Sequence, residues 1–187
     1  MSKRLLVPAF AFILVFVPAL IADEYVVDAA HASVTFKISH LGLSWIHGRF
    51  DDFSGGFSLN DDPGKCSFSL NIKTESIDTN NKQRDDHLRS PDFFNTKQFP
   101  AISFRSTAVK PAKDGYQVTG DLTLHGVTKP VTFTLVGGRK AEFPKGVQRT
   151  GFTTELTVKR SEFGINKFTE MLSDDVSIAI SFEGTRK

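Results

Sequence analysis

The chain has 187 residues but a single cysteine, Cys66, so no intramolecular disulfide can form and the fold must rest on its own core. No cysteine lies near residue 22, which excludes a lipid-anchored start there. The five histidines, at 31, 40, 47, 87 and 125, fall into no metal-binding spacing such as HExxH or HxH, and no metal site is expected. Nucleophile elbow, P-loop and dinucleotide fingerprint are all missing, so no catalytic residue and no cofactor is assigned. Cys66 falls at an outer or edge strand position with only Lys65 as a basic neighbour, which is a poor setting for a reactive thiol.

An excess of one charge is lacking too. There are 23 Lys and Arg against 21 Asp and Glu, and Lys3 and Arg4 fall within the first 22 residues. Without those two, cations and anions balance. Nucleic acid is therefore not an expected partner, because phosphate backbones attract clustered, uncompensated cations. A net charge near zero does nothing to discourage two chains from pairing, so a homodimer stays open.

The first 22 residues read as an address. A basic start, Lys3-Arg4, precedes an apolar run from Leu5 to Ile21 that Pro8 and Pro18 interrupt, and Ala22 suits the residue before a cut. This is the layout of a cleaved secretory signal peptide. A retained anchor is the alternative, at the lower edge of spanning length. Residues 23–187 then form one soluble, exported domain without a permanent anchor.

What is abundant is alternation with period two, the mark of antiparallel strands with one buried face. It runs through Val34, Phe36 and Ile38, then Phe68, Leu70 and Ile72, then Ile102 and Phe104. Tyr116, Val118, Leu122 and Leu124 continue it, followed by Val131, Phe133 and Leu135. Phe152, Leu156 and Val158 precede a last run through Val176, Ile178, Ile180 and Phe182. The apolar parity switches within Arg49 to Phe57, which predicts a bulge or sharp bend in that stretch, one that the paired glycines Gly55-Gly56 permit. Leu124 to Lys129 reads as a hairpin turn with His125 in it. Thr79 to Arg89 reads as one short surface helix, with Ser90-Pro91 starting a second turn. No crossover helices are present, so parallel sheet is excluded. The expected fold is all-β: an antiparallel barrel of about eight strands with one short helical insertion, and a two-sheet sandwich as the alternative.

Of the 18 Phe, three lie in the leader, and the inward set carries almost no hydrogen-bonding atom. Such an interior either packs on itself or accepts only an apolar guest, since a polar one would lose its water without replacement. The densest polar cluster, Arg84 to Ser90, reads first as a solvated helix whose Asp and Arg satisfy one another. As an anion or headgroup site, its donors would be Arg84, His87 and Arg89.

Five segments together resemble the YceI-like family: His31-Ala-Ser-Val-Thr-Phe-Lys-Ile-Ser-His-Leu-Gly42, Gly48-Arg-Phe50, Arg84-Asp-Asp-His-Leu-Arg-Ser-Pro-Asp-Phe-Phe94, Gly120 to Pro130, and Arg160-Ser-Glu-Phe-Gly164. The resemblance implies a lipocalin-like barrel with a long apolar cavity, exported to the bacterial periplasm. It also implies binding of polyisoprenoids, isoprenoid quinones or related long-chain lipids and amides, with no catalytic residues. The stretch from Asn166 to Asp175 departs from the pattern and contains Phe168 and Met171, which would flank a portal.

Inward parity then selects the lining. Its members are Phe36, Ile38, Phe50, Phe57, Phe68 and Leu70 from the first half, and Phe104, Leu122, Phe133, Phe152 and Ile178 from the second. The expectation is a periplasmic binding or carrier protein for a polyisoprenoid, isoprenoid quinone, polyprenyl phosphate or fatty amide. The rivals are a structural or interaction barrel with a self-packed core, and a lipid-headgroup enzyme using Arg84, Asp86 and His87.

Overall fold

A computed structural model describes residues 22–187. The leader expected over residues 1–22 lies, but for Ala22, outside the described residues. The elements are β1 (Asp23–His40), β2 (Ser44–Phe50), β3 (Phe53–Leu59), β4 (Ser67–Lys73), β5 (Ile77–Asp78), helix α1 (Lys82–Arg89), β6 (Ala101–Ala112), β7 (Gly115–Leu124), β8 (Val127–Glu142), β9 (Gln148–Lys159) and β10 (Leu172–Arg186). From β3 the sheet runs through β4, β6, β7, β8 and β9 to β10, which pairs back onto β1 while β1 pairs with β3. Eight strands thus close an antiparallel barrel, and β2 and β5 are additional. The ring of eight closes through β10 and β1, while β5 ends the sheet beyond β2.

Strand β1 changes neighbours along its length. Asp23–Val26 pair with β3, whereas Val34–His40 pair with β2. Between the two halves its register against β10 slips at Asp28/Ala32. The parity switch after Phe50 is a sharp bend inside the expected stretch, placed ahead of the paired glycines. The chain breaks at Asp51-Asp52, so Phe50 ends one strand and Phe53 begins another, and Gly55 and Gly56 stay inside β3. The break is held where Asp51 N–H donates to Ser76 O (3.1 Å) and Lys73 N–H donates to Asp52 O (2.9 Å). Two-residue hairpin geometry at His125-Gly126, with φ of 51° and 75°, joins β7 to β8 as the sequence predicts.

Helix α1 starts where Asn81 Oδ1 accepts the Arg84 N–H (3.0 Å) and stops at Ser90 before Pro91. The residues after it form the turn expected from Ser90-Pro91 onward, and it buries Phe93. Cys66 is buried, not at an outer edge. It precedes β4 and packs with Phe57, Leu59 and Phe68.

The interior has two apolar clusters. One, towards the end formed by β3, the far ends of β6 and β7 and the start of β9, contains Tyr25, Phe57, Phe68, Val118 and Phe152. The other, beneath α1, contains Val34, Phe50, Ile72, Ile77, Phe93 and Phe163. Each such side chain contributes about 1.5–3 kcal/mol by leaving water.

Candidate functional site

Between the two clusters the barrel holds a cavity of about 440 Å³. At Gly48, directly opposite Phe36, a methyl group would overlap the Phe36 ring, so glycine lets that ring lie flat against the strand. Ten of the eleven inward residues selected by parity line this space: Phe36, Ile38, Phe50, Phe57, Phe68, Leu70, Phe104, Leu122, Phe133 and Ile178. Phe152 does not. Its ring is buried edge-on against both Phe57 and Phe68, at 5.7 Å in each case, and it also packs on Tyr116 and Phe182. The closed end is therefore an aromatic floor, and Phe152 belongs to that floor.

The other end is a mouth bordered by α1. Arg84, His87 and Leu88, spaced i, i+3 and i+4, fall on one helix face and reach the cavity. Arg89 does not reach it. Five residues after Arg84 it is rotated by about 140° around the axis, and it donates outside the lining to Glu75 O (2.8 Å) and Ile77 O (2.7 Å). Asp86 likewise points away, bonded to Lys82 Nζ at 2.7 Å, and that contact holds its carboxyl below the usual carboxylate range. The trio Arg84, Asp86 and His87 is thus not brought together.

Asp85, in contrast, is buried and accepts from Thr79 N–H (2.9 Å) and Thr79 Oγ1–H (2.6 Å). Thr79 in turn accepts from Arg84: Nε to Oγ1 at 2.7 Å and Nη2 to the carbonyl at 2.8 Å. These contacts fix the Arg84 guanidinium at the mouth, and no carboxylate lies within ion-pair distance of it among the described residues. The His87 ring pairs with Asp92 at 2.9 Å and stands edge-on to Phe93 and Phe168. Its bond, together with Lys167, lowers the Asp92 carboxyl from its ordinary value.

Against α1 at the mouth, the segment between β9 and β10 carries Phe168 and Met171, both lining the cavity and both partly exposed. Arg160, only 4 % exposed, anchors this segment. It donates to Ser173 O and Ile165 O at 3.0 Å each, to Lys167 O at 2.7 Å and to Leu172 O at 3.3 Å. Burial pushes its guanidinium below the usual arginine value, yet it stays a cation satisfied by carbonyl dipoles. Among the described residues two buried hydroxyls have no partner, those of Thr150 and Thr154 on β9, and Thr154 lines the cavity. Among the described residues no group of three or more His, Cys, Asp or Glu could hold a metal ion, and no helix is long and apolar enough to cross a membrane.

Residues 25–184 match the family model described as the YceI-like domain. The chain belongs to the YceI-like family. It is 41 % identical over 192 residues, covering all of both chains, to Protein YceI of Escherichia coli O17:K52:H18 (strain UMN026 / ExPEC). Among solved structures, the Campylobacter jejuni YceI protein superposes with a TM-score of 0.71 at 31 % identity, over 80 % of this chain and 90 % of that one. Burkholderia cenocepacia BcnA superposes with a TM-score of 0.77 at 26 % identity, over 84 % and 98 % respectively.

In this YceI-like barrel, sequence reasoning missed Arg160 as an anchor and Phe53, Leu88, Phe93 and Phe94 as lining. Phe93-Phe94 after the helix was a visible apolar signal. Arg160 was visible only as the start of a segment resembling the family, and its anchoring role was not legible, because its partners are backbone carbonyls 5 to 13 residues away.

Proposed function

We propose that this YceI-like protein is a periplasmic carrier that holds one long-chain apolar lipid, of the polyisoprenoid or isoprenoid-quinone class, in the barrel. The leader over residues 1–22 directs export and is removed. The observation that carries the reading is a 440 Å³ cavity walled by Phe and aliphatic side chains and opening at a mouth where Arg84 lacks an acidic partner. The chain occupies the barrel, and Arg84, with His87 beside it, meets the polar end.

The mechanism is non-covalent. Each methylene leaving water contributes roughly 0.8 kcal/mol, so a prenyl tail binds tightly with few polar contacts. The same physics discriminates weakly between tails of similar girth, because one extra methylene is worth only ~1–3 kcal/mol. Arg84 adds charge-assisted bonds to a phosphate or quinone oxygen. A self-packed barrel would not keep this void, since protein interiors ordinarily close to crystal-like density.

The test is mass spectrometry of protein recovered after export, native and then after organic extraction, followed by titration with a prenyl quinone and a polyprenyl phosphate. A stoichiometric long-chain species is expected. Phe133→Asp, whose ring lines the cavity beside Phe104 (5.1 Å), should retain the β-sheet signal while weakening uptake about a hundredfold. An empty protein that takes up neither probe would replace the carrier with a filled structural barrel.

A further inference from the structure

Eight large apolar residues are substantially exposed among the described residues, and five of them gather at the mouth: Leu41, Leu43, Trp45, Phe168 and Met171. Leu43 at the tip of the β1–β2 turn is 83 % exposed. The two groups are physically joined, since Leu41 N–H donates to Met171 O at 2.7 Å. Single exposed apolar residues need no explanation, but a contiguous set beside a cavity entrance does.

The backbone points the same way. Of five non-glycine residues with positive φ, two are Asn and one is His, side chains that tolerate the left-handed region. The other two are Leu41 (φ 55°) and Phe168 (φ 56°), where a bulky apolar side chain is unfavourable locally. Strain at both positions is the cost of presenting these side chains outward at the rim.

Cations flank the patch. Lys37 Nζ lies 5.1 Å from the Trp45 ring centre and Lys167 Nζ 5.5 Å from that of Phe168. Lys37 has no carboxylate partner among the described residues, whereas Lys167 is shared with Asp92 at 3.3 Å. An apolar tip, a tryptophan and lysines able to reach back towards headgroups is the side-chain set that settles at a membrane–water interface. Glu170 stands within the same segment, so the apolar side chains lead and the charges assist.

We propose that the mouth docks on the surface of a phospholipid bilayer, with Leu41, Leu43, Trp45 and Phe168 entering the headgroup region, so that a lipid tail passes between membrane and barrel without crossing water. This rests on the carrier reading and names the phase from which the ligand comes. A second copy of the chain is a weaker occupant. A stable protein interface takes roughly 20–30 residues a side, far more than this patch offers, whereas shallow insertion needs only a few side chains.

Trp45 is the single tryptophan and reports directly on docking. Exported protein, its starting residue fixed by mass, is mixed with vesicles of phosphatidylcholine and phosphatidylglycerol in equal parts. The expected result is a blue shift of Trp45 emission and co-sedimentation, both weakened about tenfold or more in Leu43→Glu. Leu43 lies outside the cavity lining, so uptake of a prenyl quinone from detergent micelles should be the same in both proteins. Loss of that micellar uptake in both would sink the carrier reading while leaving the docking result to stand by itself. Three outcomes would overturn docking. The first is no shift and no co-sedimentation. The second is co-sedimentation that Leu43→Glu leaves unchanged, which would assign it to another part of the chain. The third is a blue shift that rises with protein concentration alone alongside a dimer mass, which would give the patch to a second copy.

Discussion

The two ends of the barrel are built from opposite materials. At the floor, rings lock one another: Tyr25 stacks on Phe57 at 4.8 Å and 7°, Phe57 lies 5.8 Å from Phe68, and Phe152 and Phe182 stand against Phe57. These contacts follow from register, since Tyr25 and Phe68 are both directly opposite Phe57 and Phe152 is opposite Phe182. Each aromatic pair adds about 0.5–1.5 kcal/mol beyond the area it buries. At the mouth the closure is made by an eight-residue helix, turns with positive φ and hydrogen bonds to carbonyls. A barrel that admits a chain needs one end that does not open and one that can, and the difference in materials supplies both.

The strongest way to break this contrast is at the floor. Phe152→Ala should destabilise the protein by about 3–5 kcal/mol, because a large ring is lost from a site that cannot collapse around the hole. Urea unfolding checks it. Phe168→Ala at the mouth should shift the midpoint little, since the ring is partly exposed and alanine, which keeps the Cβ, leaves the cost of the positive φ as it was. Equal shifts at the two positions would erase the distinction. A second effect sharpens it: Phe152→Ala deepens the cavity, so the variant should accept a longer prenyl chain than the parent.

A smaller effect is expected from Arg160. Arg160→Met leaves four carbonyl acceptors to find other donors, at a cost of about 1–3 kcal/mol. The loss should be local. Hydrogen exchange in residues 164–173 should quicken while β3 and β4 stay protected, and uniform quickening would mean that the mouth is as integral as the floor.

Most of the floor and wall was legible in the sequence. Period-two patterning in a closed antiparallel sheet leaves the inner face almost no freedom, so parity alone selected Phe36, Phe68, Phe104 and Phe133 for the cavity wall. Parity says which face a residue takes, not how far along the axis it lies, and for that reason Phe152 fell to the floor. The mouth was less legible. The arrangement of Arg84 around Thr79 and Asp85, the outward turn of Arg89 and the hold of Arg160 depend on chain segments meeting in space. The bend after Phe50 was legible as lying between Arg49 and Phe57 but not to the residue, because the glycines permit a bulge without requiring one and the break falls at Asp51-Asp52.

The smallest effect separates the ends by acid. On the outer face of the floor, Asp28 accepts from Arg149 Nη1 at 2.8 Å and pairs with His31 Nδ1 at 3.0 Å. The Arg149 bond, followed by that to His31, lowers the Asp28 carboxyl from 3.8 to about 2. A folded-state value below the unfolded one means that the unfolded chain binds more protons between these limits, so stability there rises with pH. The contribution is complete above about pH 4 and is lost as pH falls through the folded value of about 2. Urea midpoints measured from pH 6 down to pH 2 should therefore fall more steeply for the parent than for Asp28→Asn, which has no proton to gain. Asp92→Asn at the mouth should flatten the curve less. Its carboxyl is also held low, by His87 and Lys167, but those partners sit on a short helix and on a turn that can part from it without opening the barrel. If Asp92→Asn flattened the curve more than Asp28→Asn, acid would be loosening the mouth first as part of the global transition, and the mouth would have to be counted among the elements that hold the barrel closed.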